Sequence, residues 1–170
     1  MSDARKERRP KRRTDGRSRS ASRLAVVQAL YQMELSGQDV DTALKEFIDH
    51  RLGRKIEGEQ YAKADNKFFA EIVRGVVENQ SEVDRSLATS LVQGWAFNRI
   101  DPTLRAIMRA GAFEIIARLD VPPRVSVNEY LTVATAFYGQ GDELALLSGV
   151  LNRLARERRP DEPATASLKQ

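Results

Sequence analysis

The chain has 170 residues, 28 basic and 24 acidic side chains, a formal net charge of +4 and no cysteine. Its length fits one domain, and the lack of cysteine excludes disulfides, thiolate nucleophiles and cysteine-ligated metals. The charge is unevenly distributed, because residues 1–23 hold ten basic and three acidic residues and the remainder is net acidic. A basic segment joined to a mildly acidic body indicates a polyanionic partner.

The sequence predicts a basic arm, a helical domain and a short tail. Residues 1–19 contain almost no large hydrophobic side chain, so burial cannot offset the entropy of ordering them, and a disordered arm is expected. Residues 20–158 are expected to form the helical domain and residues 159–170 a flexible tail. Because no apolar run approaches the roughly 18 residues of a membrane span and no signal-peptide pattern follows the N-terminus, the sequence predicts a cytoplasmic protein without membrane contact.

Apolar residues at helical spacing predict four helices in the first half of the chain. The first runs from Ser20, and Gly37 is placed to end it. The expected bounds of the others are Val40 to Gly53, a start between Gln60 and Asp65, and a start at a Ser81–Asp84 capping box. Trp95, which follows the fourth helix, is expected to anchor the core.

Three more helices are expected in the second half. Asp101 and Pro102 are the clearest helix start, since an N-cap carboxylate precedes a proline at the first helical position. Gly111 is unfavourable within that helix by propensity and so indicates a close crossing by another helix. The last two helices are expected from about Ser126 through Phe137, with Phe137 on the apolar stripe, and from an N-cap at Asp142 to about Arg158.

No alternating strand pattern occurs, so the predicted class is all-α, a compact bundle of about seven helices. The sequence contains one histidine, His50, on the polar side of the second helix. Neither metal-ligand spacing nor a glycine-rich phosphate loop accompanies it, and the serines lack a neighbouring base. We therefore expect no catalytic residues, no metal and no cofactor.

The strongest functional signal is the series of arginines that runs into the first helix. The forked guanidinium groups of Arg17, Arg19 and Arg23 suit phosphate oxygens, and neutralised phosphates release counterions. Arg19 and Arg23 stand four residues apart on one helical face, and Tyr31 is expected two turns further along the same side, where its ring would stack on an unpaired base. Two alternatives remain open: a basic tail that only aids solubility, and Tyr31 as a core residue.

Five stretches of the sequence form an ordered set of motifs. They are Arg23 with Ala25–Tyr31, Phe69–Gly75 with Asn79, Ala106–Glu114, Asp120–Glu129, and Ser148–Ala155. Together they resemble the NusB family of transcription antitermination factors, over roughly Arg17 to Arg156. The sequence departs from the family pattern before the last helix, where residues 137–143 replace its F-G-x-E-x-S loop, and at Leu146 and Ser148, which replace a bulky aromatic and an asparagine.

The resemblance implies two packed helical subdomains and a non-catalytic role. Family members bind the boxA element of ribosomal RNA leader transcripts together with NusE, a small-subunit ribosomal protein, and help RNA polymerase to read through terminators. For RNA binding, the matching positions are Arg17, Arg19, Arg23, Gln28 and Tyr31. For the protein partner, they are Asp142, Glu143 and Leu146.

Three other readings compete with this one, and the oligomeric state stays open. The chain could be a free-standing relative of the NusB-like module of ribosomal RNA methyltransferases, although it lacks the catalytic cysteine of those enzymes. It could also be a NusB-like RNA-binding or protein-interaction module whose basic arm binds acidic surfaces without specificity. DNA binding through a helix-turn-helix is disfavoured, because no compact recognition pair is evident.

Overall fold

The computed structural model describes residues 12–52, 64–92 and 94–162. Within these ranges the chain forms helices and no strand, which confirms the all-α class. None of the described helices is both long and apolar enough to cross a membrane. The seven α-helices are α1 (Arg12–Ser36), α2 (Val40–His50), α3 (Asn66–Glu78), α4 (Gln80–Ser90), α5 (Pro102–Ala117), α6 (Pro123–Tyr138) and α7 (Asp142–Arg158), with a short 3-10 helix at Phe97–Arg99 before α5.

Helix α5 lies at the centre of the bundle. Ten of its 16 residues are buried, as expected for a helix that is apolar on nearly every side. It packs against α1, α3, α4, α6 and α7, while α2 packs against α1 and α3. Helices α1–α3 therefore form one group and α4, α6 and α7 a second group, and a single apolar core that includes Ile107 and Met108 joins the two.

Several helix ends follow the sequence signals closely. Gly37 ends α1 with a φ of 69°, and its N–H donates to the carbonyl of Met33. The Asp65 carboxylate accepts from the N–H of Phe68 at 3.0 Å and caps α3. Asp101 caps α5 in the same way, with Pro102 at the first position. These predicted ends are confirmed.

The predicted close crossing at Gly111 is also confirmed. A Cβ at this position would lie 3.0 Å from Cδ1 of Leu151 and 3.3 Å from Cδ2 of Tyr130. Helices α7 and α6 therefore approach α5 here closely enough that a larger side chain would force them apart.

Helix α1 begins at Arg12, eight residues before the predicted start at Ser20. The expectation of a disordered arm through residue 19 therefore does not hold for residues 12–19, and residues 1–11 lie outside the described residues. Contacts at the C-terminal end of the added segment help to hold it: the carbonyl of Ser18 accepts from the N–H of Asp65 at 3.3 Å, and the guanidinium carbon of Arg19 lies 4.8 Å from the ring centroid of Phe68. Contacts across the bundle thus hold a segment whose composition alone would leave it unstructured.

Other predicted boundaries are wrong for local reasons. Helix α4 starts at Gln80, and the side chain of its N-cap Asn79 donates to the carbonyl of Gly75 instead of capping the helix. The predicted capping box does not form, and the carboxylate of Asp84 binds Arg109. Helix α6 starts three residues early, with Pro123 in its first turn, where proline loses no hydrogen bond. Helix α7 has Gly141 as its N-cap, so Asp142 is its first residue.

Two expectations about burial are also wrong. Trp95 is 56% exposed and does not anchor the core. Arg159, the first residue of the predicted flexible tail, is buried, and its Nη1 donates to the carbonyl of Val121 at 2.8 Å. It thereby fastens the end of α7 to the loop between α5 and α6. The predicted stop at Gly53 and residues 163–170 lie outside the described residues.

We expect opposite effects from replacing two helical glycines with alanine. A Cβ on Gly75 would overlap the ring of Phe113, whereas a Cβ on Gly149 would meet nothing within 4 Å. Gly149→Ala should raise the free energy of unfolding by up to about 1 kcal/mol through helix propensity. Gly75→Ala should lower it by about 1–3 kcal/mol through overpacking. Urea unfolding of both variants measures the contrast, and stabilisation by Gly75→Ala would contradict the packing described here.

Candidate nucleic-acid interface

A buried carboxylate on α5 binds side chains from α1 and α6. Glu114 is fully buried. Its Oε1 accepts from Nε of Arg23 at 2.8 Å and from the Tyr130 hydroxyl at 2.8 Å, and its Oε2 accepts from Nη2 of Arg23 at 3.1 Å and from the Ser126 hydroxyl at 2.8 Å. All four bonds are charge-assisted, which makes them the stronger kind of protein hydrogen bond.

The predicted role of Arg23 in phosphate binding is corrected by this arrangement. Its side chain is only 3% exposed, and its guanidinium group is bound by Glu114, with Glu129 3.7 Å from Nη1. Burial by itself lowers the pKa of Arg23, but the hydrogen bonds and charge of Glu114 outweigh burial and raise it above its ordinary value. Arg23 is therefore a permanently charged structural residue.

Arg19 and Arg23 do share one face of α1, as predicted. Their guanidinium carbons lie 4.8 Å and 5.0 Å from the ring centroid of Phe68, and that of Arg118 lies 5.2 Å from it. Asp120 accepts two hydrogen bonds from Arg118, which lower the pKa of its carboxyl group, and it lies 3.7 Å from Nη1 of Arg19. Arg19 is thus a partly exposed residue that is already engaged with an internal carboxylate.

The cleft beside Arg19 is a poor site for phosphate. Its volume is about 530 Å³. The charged residues that line it include Arg19 and Arg23 but also Asp65, Asp120 and Glu129. Since acidic groups outnumber the arginines, a phosphate would be repelled as much as attracted.

The opposite side of α1 presents a continuous exposed surface. Each residue of an α-helix is rotated by about 100° from the one before it. Residues that follow a given residue by 7, 11, 14 or 18 positions therefore lie close to one line along the helix. Five exposed residues fall on that line, which we term the α1 stripe: Arg17, Leu24, Gln28, Tyr31 and Leu35. Tyr31 therefore shares a face with Arg17, and the prediction that it shares one with Arg19 and Arg23 is wrong.

The C-terminal part of the α1 stripe borders an apolar groove of about 600 Å³. Gln28, Tyr31 and Leu35 line it from α1, and Phe137 lines it from the end of α6. Tyr31 is 37% exposed and Phe137 is 46% exposed. The sequence placed Phe137 on a buried stripe, and only the packing of α6 against its neighbours reveals that its ring reaches solvent.

The residues predicted to meet a protein partner lie together at the start of α7. Asp142 is exposed, whereas Glu143 and Leu146 are half-buried. Leu146 packs against the main core, so only part of its side chain is available to a partner. The first turn of α7 thus offers two carboxylates beside a small apolar surface.

The sequence and the fold are similar to those of known proteins. Residues 20–156 match the NusB family. A transcription antitermination protein NusB from Caulobacter vibrioides is 50% identical over 141 residues, which cover 83% of this chain and 94% of the relative. Another from a Bradyrhizobium species is 49% identical over 144 residues, which cover 85% of each chain.

Solved structures share the fold. NusB from T. maritima is 26% identical to this chain, and its structure covers 84% of this chain and 94% of its own with a TM-score of 0.67. A crystal structure of the antitermination factors NusB and NusE in complex with dsRNA gives a TM-score of 0.69 at 17% identity, over 83% of this chain and 98% of the other. At that identity the likeness shows the fold alone.

Removing the buried carboxylate should destabilise the protein strongly. Glu114→Ala leaves Arg23 buried without its partner, and we expect a loss of about 3–5 kcal/mol in the free energy of unfolding. Glu157→Ala is the matched control, because its pair with Arg153 is half exposed and such pairs contribute at most about 1 kcal/mol. Urea denaturation followed by circular dichroism compares the two, and similar small losses would show that the buried cluster does not hold α1 in place.

Proposed function

The chain belongs to the NusB family, and we propose that it is a transcription antitermination factor that binds RNA through the α1 stripe without catalysing a reaction. The curated relatives are transcription antitermination proteins. The RNA we propose is the boxA element of ribosomal RNA leader transcripts, the partner protein is NusE, and the outcome is read-through by RNA polymerase in the cytoplasm.

The α1 stripe is the observation that carries this proposal. It begins at Arg17, to which the sequence joins further basic residues, and it ends at Tyr31 and Leu35 beside the apolar groove. Cationic groups that meet phosphates and aromatic groups that meet bases are the two components of single-stranded RNA recognition. The stripe places both on one side of one helix.

Three of the five predicted RNA-binding residues fit this surface. Arg17, Gln28 and Tyr31 lie on the stripe and are exposed. Arg19 lies about half a turn away and is engaged by Asp120, so we propose a weaker, peripheral contact for it. Arg23 supports RNA binding only indirectly, by holding α1 on Glu114.

For NusE we propose the first turn of α7. The exposed carboxylate of Asp142 and the neighbouring Glu143 suit a basic ribosomal protein, and the exposed part of Leu146 supplies an apolar contact. A crystal structure with the same fold contains NusB, NusE and dsRNA together. When two linked partners each bind a separate surface with modest affinity, the combined affinity is greater than either alone. NusE should therefore tighten RNA binding.

Arg17→Ala should weaken RNA binding and its dependence on salt. Each phosphate contact to a single strand contributes about 0.7 to the slope of log affinity against log salt, so the slope should fall by about that amount. Arg19→Ala should change it less. Fluorescence anisotropy with a labelled single-stranded boxA RNA measures this between 50 and 200 mM salt. Arg156→Ala, at the exposed C-terminal end of α7, is the control for the change in net charge. Equal salt slopes for the Arg17 and Arg156 variants would contradict the proposal.

Sequence specificity is tested with the same assay. An unlabelled boxA RNA should compete better than a scrambled RNA of equal length. Equal competition by the two RNAs would favour the alternative reading, a module whose basic segment binds polyanions without specificity.

Asp142→Lys should weaken binding of NusE. A like charge placed opposite a basic partner is costly, and we expect the Kd to rise at least about tenfold. Asp161→Lys makes the same charge change at an exposed position beyond the other end of α7 and should leave the Kd nearly unchanged. Isothermal titration calorimetry with purified NusE distinguishes the two. An unchanged Kd for the Asp142 variant would place the partner elsewhere.

A further inference from the structure

A buried arginine just after α7 holds the segment between α5 and α6. The side chain of Arg159 is 5% exposed. Its Nη1 donates to the carbonyls of Val121 at 2.8 Å and Arg118 at 3.4 Å, and its Nη2 donates to the carbonyl of Leu119 at 3.3 Å. One forked guanidinium group thus binds three carbonyls of the same short segment, which a lysine ammonium could not do in the same way.

Glu162 holds this arginine from its other side. The carboxylate accepts from Nε of Arg159, and also from Nη2 at 2.8 Å. The N–H of Glu162 donates to the carbonyl of Arg159 at 3.1 Å, which closes a turn directly after α7. We term Arg159 and Glu162 the C-terminal clasp.

The segment that the clasp holds also carries the carboxylate nearest to Arg19. Arg118 donates to both oxygens of Asp120, at 3.0 Å and 3.1 Å, and these hydrogen bonds lower the pKa of Asp120, so it stays charged. An oxygen of this carboxylate lies 3.7 Å from Nη1 of Arg19. The three carbonyls bound by Arg159 flank Asp120 on both sides in the chain, so the clasp restrains the backbone that positions it.

We propose that the C-terminal clasp keeps Asp120 beside Arg19 and thereby weakens the attraction of Arg19 for phosphate groups. The effect on phosphate rests on the proposed RNA-binding function. Arg19 is 35% exposed, so an anion can approach it, but a carboxylate at this distance offsets part of its charge. Arg19 and Arg159 both lie outside residues 20–156, which match the NusB family, so their link does not follow from family membership.

The remainder of α1 is held independently of the clasp. The Ser20 hydroxyl donates to Glu129 on α6, and Arg23 is bound to Glu114 on α5. Loss of the clasp should therefore release Asp120 from Arg19 while α1 stays in place.

Amide hydrogen exchange tests whether the clasp holds the segment. The N–H of Val121 donates to the carbonyl of Arg118 at 3.0 Å. In Arg159→Ala its exchange should accelerate at least about tenfold more than that of Ile107, in the middle of α5, because a local opening does not require global unfolding. Glu162→Ala removes only one partner of Arg159 and should produce the same change to a smaller extent.

Two further variants separate the clasp from the effects of charge. Arg158→Ala removes the same charge from the adjacent residue, but Arg158 binds Glu82 and Ser86 on α4, so the exchange of Val121 should not change. Arg159→Lys keeps a positive charge beside the C-terminal end of α7 and loses the fork. Parent-like exchange in Arg159→Lys would show that interaction with the helix dipole, and not the clasp, explains the arginine.

RNA affinity tests the effect on Arg19. Asp120→Asn should lower the Kd for single-stranded boxA RNA by up to about fivefold and steepen the salt slope by up to about 0.7. The same change should have no effect in a protein that carries Arg19→Ala. Arg159→Ala should also tighten binding, although it removes a positive charge, and should add nothing to Asp120→Asn. Asp49→Asn, at an exposed position on α2, is the control for net charge.

Three results would overturn the proposal. Equal acceleration of exchange at Val121 and Ile107 in Arg159→Ala would show only a general loss of stability. Tighter binding of Asp120→Asn that persists with Arg19→Ala would be an effect of net charge. An unchanged Kd for Asp120→Asn, while Arg17→Ala still weakens binding, would show that Asp120 does not compete with phosphate, and the proposed function would stand.

A measurement on the free protein keeps this proposal distinguishable from the proposed function. The Nε–H resonance of Arg19 should shift in both Asp120→Asn and Arg159→Ala, and not in Arg158→Ala. If the parent protein does not bind boxA RNA, the proposed function fails, and the Arg19 resonance still shows whether the clasp holds Asp120 beside it. An Arg19 resonance that is unchanged in Arg159→Ala would contradict the clasp.

Discussion

The charge of Glu114 has no contact with water, so its position is fixed by the four hydrogen bonds that it accepts from Arg23, Ser126 and Tyr130. The carboxylate lies on α5, and its donors lie on α1 and α6. Breaking such a buried pair by removing one partner costs several kcal/mol. A rotation of α1 about its axis would separate Arg23 from Glu114, and the ion pair therefore sets which face of α1 points to the solvent.

The rotation of α1 about its axis determines which of its residues form the candidate RNA surface. With Arg23 turned inward, Arg19 reaches only the edge of an acidic cleft, and Arg17, Gln28 and Tyr31 face outward. Around the axis of α1, the structural Arg23 and the outward-facing Arg17 are thus separated by about 120°, a third of a turn. The carboxylates at the start of α7 follow the end of α6 after a loop of three residues, so the acidic surface lies near the end of the stripe that borders the groove.

The local chemistry of the sequence predicted much of the fold. Gly37, Asp65 and Asp101 end or begin helices for reasons that depend only on neighbouring residues, and the periodic apolar residues identify the helices between them. The roles of Arg23 and Phe137 could not be predicted in this way. The partner of Arg23 is 91 residues away in sequence, and the exposure of Phe137 depends on how α6 meets α1.

The same limit explains the prediction that joined Tyr31 to Arg19 and Arg23. The prediction that these residues lie on a helix is confirmed. Which face of that helix is buried depends on contacts with residues of other helices, namely Glu114, Phe68 and Glu129. An arginine suits a phosphate and a buried carboxylate equally well. Only the three-dimensional structure distinguishes the two arginines: Arg17 is exposed and can contact a ligand, whereas Arg23 is buried.

The central claim is that α1 meets RNA with its outer stripe while its inner arginine stays bound to Glu114. Titration of ¹⁵N-labelled protein with a single-stranded boxA RNA, followed through side-chain N–H resonances, tests it directly. The amide resonances of Gln28 should shift on binding, and the Nε–H resonance of Arg23 should not. Movement of the Arg23 resonance with a stationary Gln28 amide would show that the inner face of α1 is the one that contacts RNA.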